Sequence, residues 1–146
     1  MLGFYNLSLQ GESHKSSGTV CQDASNIVTL PCGWIIASIA DGVGSAKHSD
    51  TGSNLAVQTV TNYVYERCPL EWDYNSLIDT LHAAYELALK RITEKALKEG
   101  NPLSEYDTTL TTAIYNGTQV VFAHAGDGGI VTLSENGDFS MLTTPQ

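Results

Sequence analysis

From Phe4 to Gln10 the chain alternates, with Tyr5, Leu7 and Leu9 on one side and Asn6, Ser8 and Gln10 on the other. A period of two predicts a half-buried strand. Two more β-rich runs follow, Asn26–Leu30 and Trp34–Ala40, separated by a Pro31-Cys32-Gly33 turn. The second, WIIASIA, is apolar on both faces, which predicts a central place in a sheet. Between Asp50 and Arg67 the spacing becomes helical, with Leu55, Val60 and Val64 among the apolar positions. From Ser76 onward Leu77, Leu81, Ala84, Tyr85, Ala88, Leu89, Ile92 and Ala96 recur at three- and four-residue steps, a stronger helix signal. Ser76 with Asp79 resembles a capping box, and Gly100-Asn101-Pro102 is a stop. Thr109–Tyr115 and Gln119–Ala125 flank Asn116-Gly117, and Ile130–Leu133 and Phe139–Leu142 flank Asn136-Gly137, so two hairpins are expected. Strands, two helices and strands again, without βαβ alternation, predict an α+β layered fold with a largely antiparallel sheet.

At 146 residues the chain has room for one domain, 1–146, and its 42% hydrophobic content suffices for a core. Seven basic against 16 acidic residues give a formal charge of −9. Such a surface repels phosphate backbones and anionic lipid heads, so neither nucleic acid nor membrane is expected as a partner. No apolar run is long enough to cross a bilayer, and the N-terminus lacks the order of a signal peptide. Cys21, Cys32 and Cys68 have no CxxC spacing, which predicts reduced thiols in a cytoplasmic protein and neither a disulfide framework nor a zinc site.

Candidate chemistry concentrates where β-rich runs end. The apolar run through Ala40 stops at Asp41, and Gly42, Gly44 and Ser45 follow at once. A carboxylate fixed at a strand end, beside glycines that let backbone carbonyls approach a ligand, offers the oxygen donors that hard divalent cations take. Asp23, in GTVCQDAS, precedes the strand near Asn26, and Asp127, in AHAGDGGIV, follows another. Each alone reads equally well as a turn residue. If the strands share one sheet edge the three converge, and converging carboxylates require a proton or a metal among them.

These segments carry a resemblance. SHKSSGTVCQDAS, IASIADGVGS and HAGDGGIV, with DTTLTTAIYNG between the last two, resemble in order and spacing the metal-dependent serine/threonine protein phosphatases of the PPM or type 2C family, bacterial members above all. The resemblance implies a layered α-β-β-α sandwich of antiparallel sheets with flanking helices. It implies that Asp41 bridges two metal ions, Mn²⁺ or Mg²⁺, and that the Gly42 carbonyl ligates one of them. Asp23 would serve the second ion directly or through water, with Gln22 at the partner position, and Asp127 would serve a third, weaker ion. Asp41 and Asp23 are then the catalytic pair. Two ions roughly 3.5–4 Å apart would activate a water for in-line attack on a phosphoprotein Ser/Thr monoester. No protein nucleophile is needed, and the GDGG turn lacks the Lys-Ser/Thr ending of a P-loop. The family's phosphate-clamping Arg position is Gly18 here, which leaves His14 and Lys15, in a preceding loop, as candidate substrate contacts.

The sequence stops at Gln146, part-way through the family's catalytic domain and before its later aspartates. The expectation is an N-terminal portion of such a domain, incomplete at the C-terminus, whose open sheet is completed by a missing segment or by homo-oligomers. The alternative is a phosphatase-like binding or regulatory module without catalysis, or a fragment of a longer phosphatase.

Overall fold

A computed structural model of the chain describes residues 3–18 and 20–144, apart from the side chains of Ser13, His14 and Ser17. In chain order the elements are α1 (Glu12–Ser17), β1 (Ala24–Thr29), β2 (Ile35–Ala40), α2 (Ser49–Glu66) and α3 (Tyr74–Glu99). A 3-10 turn (Leu103–Tyr106) leads to β3 (Leu110–Tyr115), β4 (Val120–Ala125), β5 (Val131–Leu133) and β6 (Phe139–Met141). The first four strands form one sheet in the order β1-β2-β3-β4, every pair antiparallel. β5 and β6 pair as a separate two-stranded ribbon. The class is α+β, as the patterning predicts.

Side-chain alternation gives the large sheet two unlike faces. Ile36, Ser38 and Ala40 of β2, Leu110, Thr112 and Ile114 of β3 and Val121 of β4 are buried. α2 lies over β1 and β2, α3 over β4, and the two helices pack on each other. Val60 and Val64 of α2 and Leu77, Leu81 and Ala84 of α3 fill the space between at 0–1% exposure. Inside this layer Tyr85 donates its hydroxyl to the Ala123 carbonyl at 2.8 Å, and burial pushes its pKa up to about 12. No described helix is long and apolar enough to cross a membrane.

Three expectations need correction. Phe4–Gln10 is not a strand: it pairs with no described strand, and Tyr5, Leu7 and Leu9 are exposed. Alternation makes a strand only where a neighbouring edge takes up the backbone hydrogen bonds. Here the segment meets the sheet through a side chain, the Ser25 hydroxyl donating to Asn6 Oδ1 at 2.7 Å. The second correction is the start of α3, whose N-cap lies three residues before the one expected at Ser76. Asp73 is the N-cap, and its carboxylate accepts the Ser76 N–H at 2.9 Å.

The third concerns the thiols. Cys32 and Cys68 are joined as a disulfide, and only Cys21 is free. The β1–β2 turn carries Cys32 to the end of α2, where Cys68 follows the helix. Trp34 and Trp72 meet edge-to-face nearby, with ring centroids 4.9 Å apart.

Candidate functional site

The β1–β2 register pairs Ala24 with Ala40, so Asp23 and Asp41 face each other just beyond the pair. In β3 and β4, Leu110 pairs with Ala125, which brings the Gly126–Gly129 turn with Asp127 to the same edge. Antiparallel pairing alone therefore gathers the three carboxylates. A cavity of about 450 Å³ opens there, lined by Asp23, Asp41 and Asp127 with Ser25, Thr109 and Thr111. A second, of about 340 Å³, lies along Cys21, Gln22, Asp23, Asp41, Gly42 and Gly44. Asp23 and Asp41 border both.

Hydrogen bonds hold the Asp41-Gly42 backbone from two sides. Thr109 N–H and the Thr108 hydroxyl donate to the Asp41 carbonyl at 2.9 and 3.1 Å. Val43 N–H donates to the Asp107 carbonyl at 3.0 Å, which leaves Gly42 and Thr108 as an opposed pair without mutual bonds. In such a pair the peptide groups of Gly42 point the other way. Its N–H accordingly donates to the Gln22 carbonyl at 3.2 Å, and its carbonyl faces the Gln22–Asp23 side. The approach is close: a Cβ at Gly42 would stand 2.6 Å from the Gln22 carbonyl oxygen and 2.9 Å from Ser49. Gln22 is fixed in turn, since the Ser53 hydroxyl donates to its carbonyl at 2.6 Å.

The pKa of Asp41 is raised. Partial burial is the largest cause, followed by a carboxyl–carboxyl hydrogen bond with Asp23 and the charges of Asp23 and Asp127. Asp23, opposite Asp41 in the register, acts on it most directly, and Asp127 acts as a charge across the cavity. Among the described residues no three His, Cys, Asp or Glu stand close enough to enclose a metal ion. The donor set still fits a hard cation. The facing Asp23 and Asp41 carboxylates and the Gly42 carbonyl on the same side would supply the oxygens, with water completing the shell of Mg²⁺ or Mn²⁺.

The loop expected around His14 and Lys15 is the helix α1. Lys15 is ion-paired to Glu12 at 3.3 Å, with both side chains exposed, and it lines neither cavity. The side chain of His14 lies outside the described residues. Sequence reasoning passed over the β3 threonines and His124. Thr111 Oγ1 and His124 Nδ1 are buried without hydrogen-bond partners among the described residues, and the two residues are paired across β3 and β4. A run such as DTTLTT reads as β-propensity, which hides any role of its hydroxyls.

A family model described as protein phosphatase 2C matches residues 10–146. The chain belongs to the protein phosphatase 2C family. No curated protein matches the sequence. Among solved structures, a bacterial serine phosphatase bearing an arginine-to-glutamate mutation is similar at a TM-score of 0.69 and 17% identity, over 86% of this chain and 55% of that one. PppA, a key regulatory component of T6SS in Pseudomonas aeruginosa, is similar at a TM-score of 0.57 and 19% identity, over 84% of this chain and 55% of that one. At these identities the likeness is one of fold. The chain spans about half the length of the solved structures it matches.

Proposed function

We propose that this protein phosphatase 2C chain takes part in metal-dependent hydrolysis of Ser/Thr phosphomonoesters on phosphoproteins, with Asp41 and Asp23 as the central pair. The observation that supports it most is the strand register that sets these two carboxylates opposite each other, where both border the same two cavities. A protein that brings like charges together gains by placing a cation between them. Asp41, Asp23 and the Gly42 carbonyl would hold Mn²⁺ or Mg²⁺, and Asp127 would add charge from the facing turn. A divalent cation bound there would supply Lewis-acid activation of water and offset charge on the phosphoryl oxygens.

The remaining work falls to the chain itself. The Val43 N–H bond to the Asp107 carbonyl turns the Gly42 carbonyl away from the β3 side and toward Asp23, while Gln22, held by Ser53, anchors the Gly42 N–H. Thr108 and Thr109 hold Asp41 from the β3 side. The larger cavity, open beside Asp127, gives a phosphorylated side chain room to approach. His14 and Lys15 stay in this reading as substrate contacts, Lys15 requiring release from Glu12.

A second reading, a phosphatase-like binding module, draws on the lack of a closed three-ligand cluster among the described residues. Hydrolysis of p-nitrophenyl phosphate and of a phosphoserine peptide, with and without Mn²⁺, separates the two. Mn²⁺-dependent turnover that falls at least about 100-fold in Asp41→Asn is expected. Folded wild-type chain that binds Mn²⁺ and shows no turnover supports the binding module instead.

A further inference from the structure

Thr109, at the edge of β3, touches both halves of the site. Its hydroxyl oxygen accepts the Asp41 backbone N–H at 2.9 Å, and its own backbone N–H donates to the Asp41 carbonyl at 2.9 Å. The methyl arm of the same side chain lies against the turn that carries Asp127. A Cβ built at Gly126 would stand 2.7 Å from Thr109 Cγ2 and 2.9 Å from Thr109 Cβ. Gly126 also has a φ of 95°, so glycine is required there both by conformation and by space. The side chain of Thr109 thus joins the backbone of Asp41 to the backbone beside Asp127.

Its neighbours each do part of this. The Thr108 hydroxyl donates to the Asp41 and Thr109 carbonyls. Thr111 backs the turn, since a Cβ at Gly128 would stand 2.1 Å from its Oγ1. Thr109 does both, with hydroxyl and methyl carrying separate contacts. Valine would keep the shape and lose the acceptor; serine would keep the acceptor and leave a gap against Gly126.

We propose that Thr109 is a positioning residue that sets where Asp41 stands relative to the Asp127 turn, and thereby how tightly the carboxylate edge holds a divalent cation. The inference rests on the cation-binding reading above, and Thr109 reaches the ion only through Asp41. Outer residues that orient metal ligands typically change affinity by about 10–100-fold when altered.

The test uses the 146-residue chain as wild type, Thr109→Val and Thr109→Ser. In metal-free protein, NMR hydrogen exchange at the Asp41 amide should be about tenfold faster or more in Thr109→Val, with the Ile36 and Ser38 amides of β2 unchanged. Thr109→Ser should keep the Asp41 amide protected while the Gly126–Gly128 turn gains fast motion, read as a lower heteronuclear NOE. Mn²⁺ affinity, read by EPR of the free ion, should fall about 10–100-fold in Thr109→Val and be largely retained in Thr109→Ser.

Wild-type exchange at Asp41 in Thr109→Val, or wild-type Mn²⁺ affinity in that variant, overturns the proposal. If Thr109→Val loses protection throughout β2, Thr109→Ser decides: loss of Asp41 protection or an unchanged turn overturns it. Wild-type chain that binds no Mn²⁺ sinks the cation reading, while the exchange data still decide whether Thr109 holds Asp41.

Discussion

Asp41 holds its proton more tightly in the folded chain than an ordinary aspartate does, through burial and the neighbouring carboxylates of Asp23 and Asp127. The sign of the consequence is fixed by linkage. A carboxyl whose folded pKa is raised contributes stability that is fully present below the unfolded value, 3.8, and is lost as pH rises through the folded value. At pH 7 without divalent ions its charge is therefore a net cost to folding. Asp41→Asn should melt at a higher temperature than wild type at pH 7 in a chelator, and the gap should close as pH falls toward 3.8. Thermal melts across that range check this, and a variant that melts lower at pH 7 in chelator contradicts it. Asp41 and Asp127 were legible in the sequence because each sits beside a glycine where an apolar run ends, and Asp23 because it stands just before a β-rich run. Thr109 was not, because its role lies in contacts with Asp41 and Gly126, which only the strand register creates.

At the scale of elements, α2 and α3 were legible because their apolar positions repeat at the helical period and the sheet demands one buried stripe from each. The start of α3 was misplaced because Ser76 and Asp73 are both good capping residues, and the geometry at residue 73 selects the aspartate. Asp73→Ala should cost about 1 kcal/mol, the usual loss of an N-cap acceptor, measured as a lower urea midpoint with an unchanged slope. No loss would mean that packing alone holds the first turn. Phe4–Gln10 failed for the opposite reason: its pattern suits a strand, but a strand exists only with a partner. The Cys32–Cys68 bond was likewise invisible, since its two ends lie 36 residues apart and meet only because of how α2 lies on the sheet.

Across the whole molecule, the antiparallel four-stranded sheet has one face buried under two helices and one edge that gathers Asp23, Asp41 and Asp127. The net charge of −9 sharpens the point, because an acidic chain that also converges carboxylates has a potential that favours cations over anions at that edge. Family membership rests on a match across residues 10–146, and the site rests on register and contacts within this chain. The most direct measurement is the anomalous difference map of crystals grown with Mn²⁺, collected at the manganese edge. The expected result is a peak beside Asp41 and Asp23 on the side of the Gly42 carbonyl, absent from Asp41→Asn crystals. A peak confined to another acidic surface, or none at saturating Mn²⁺, would contradict the account.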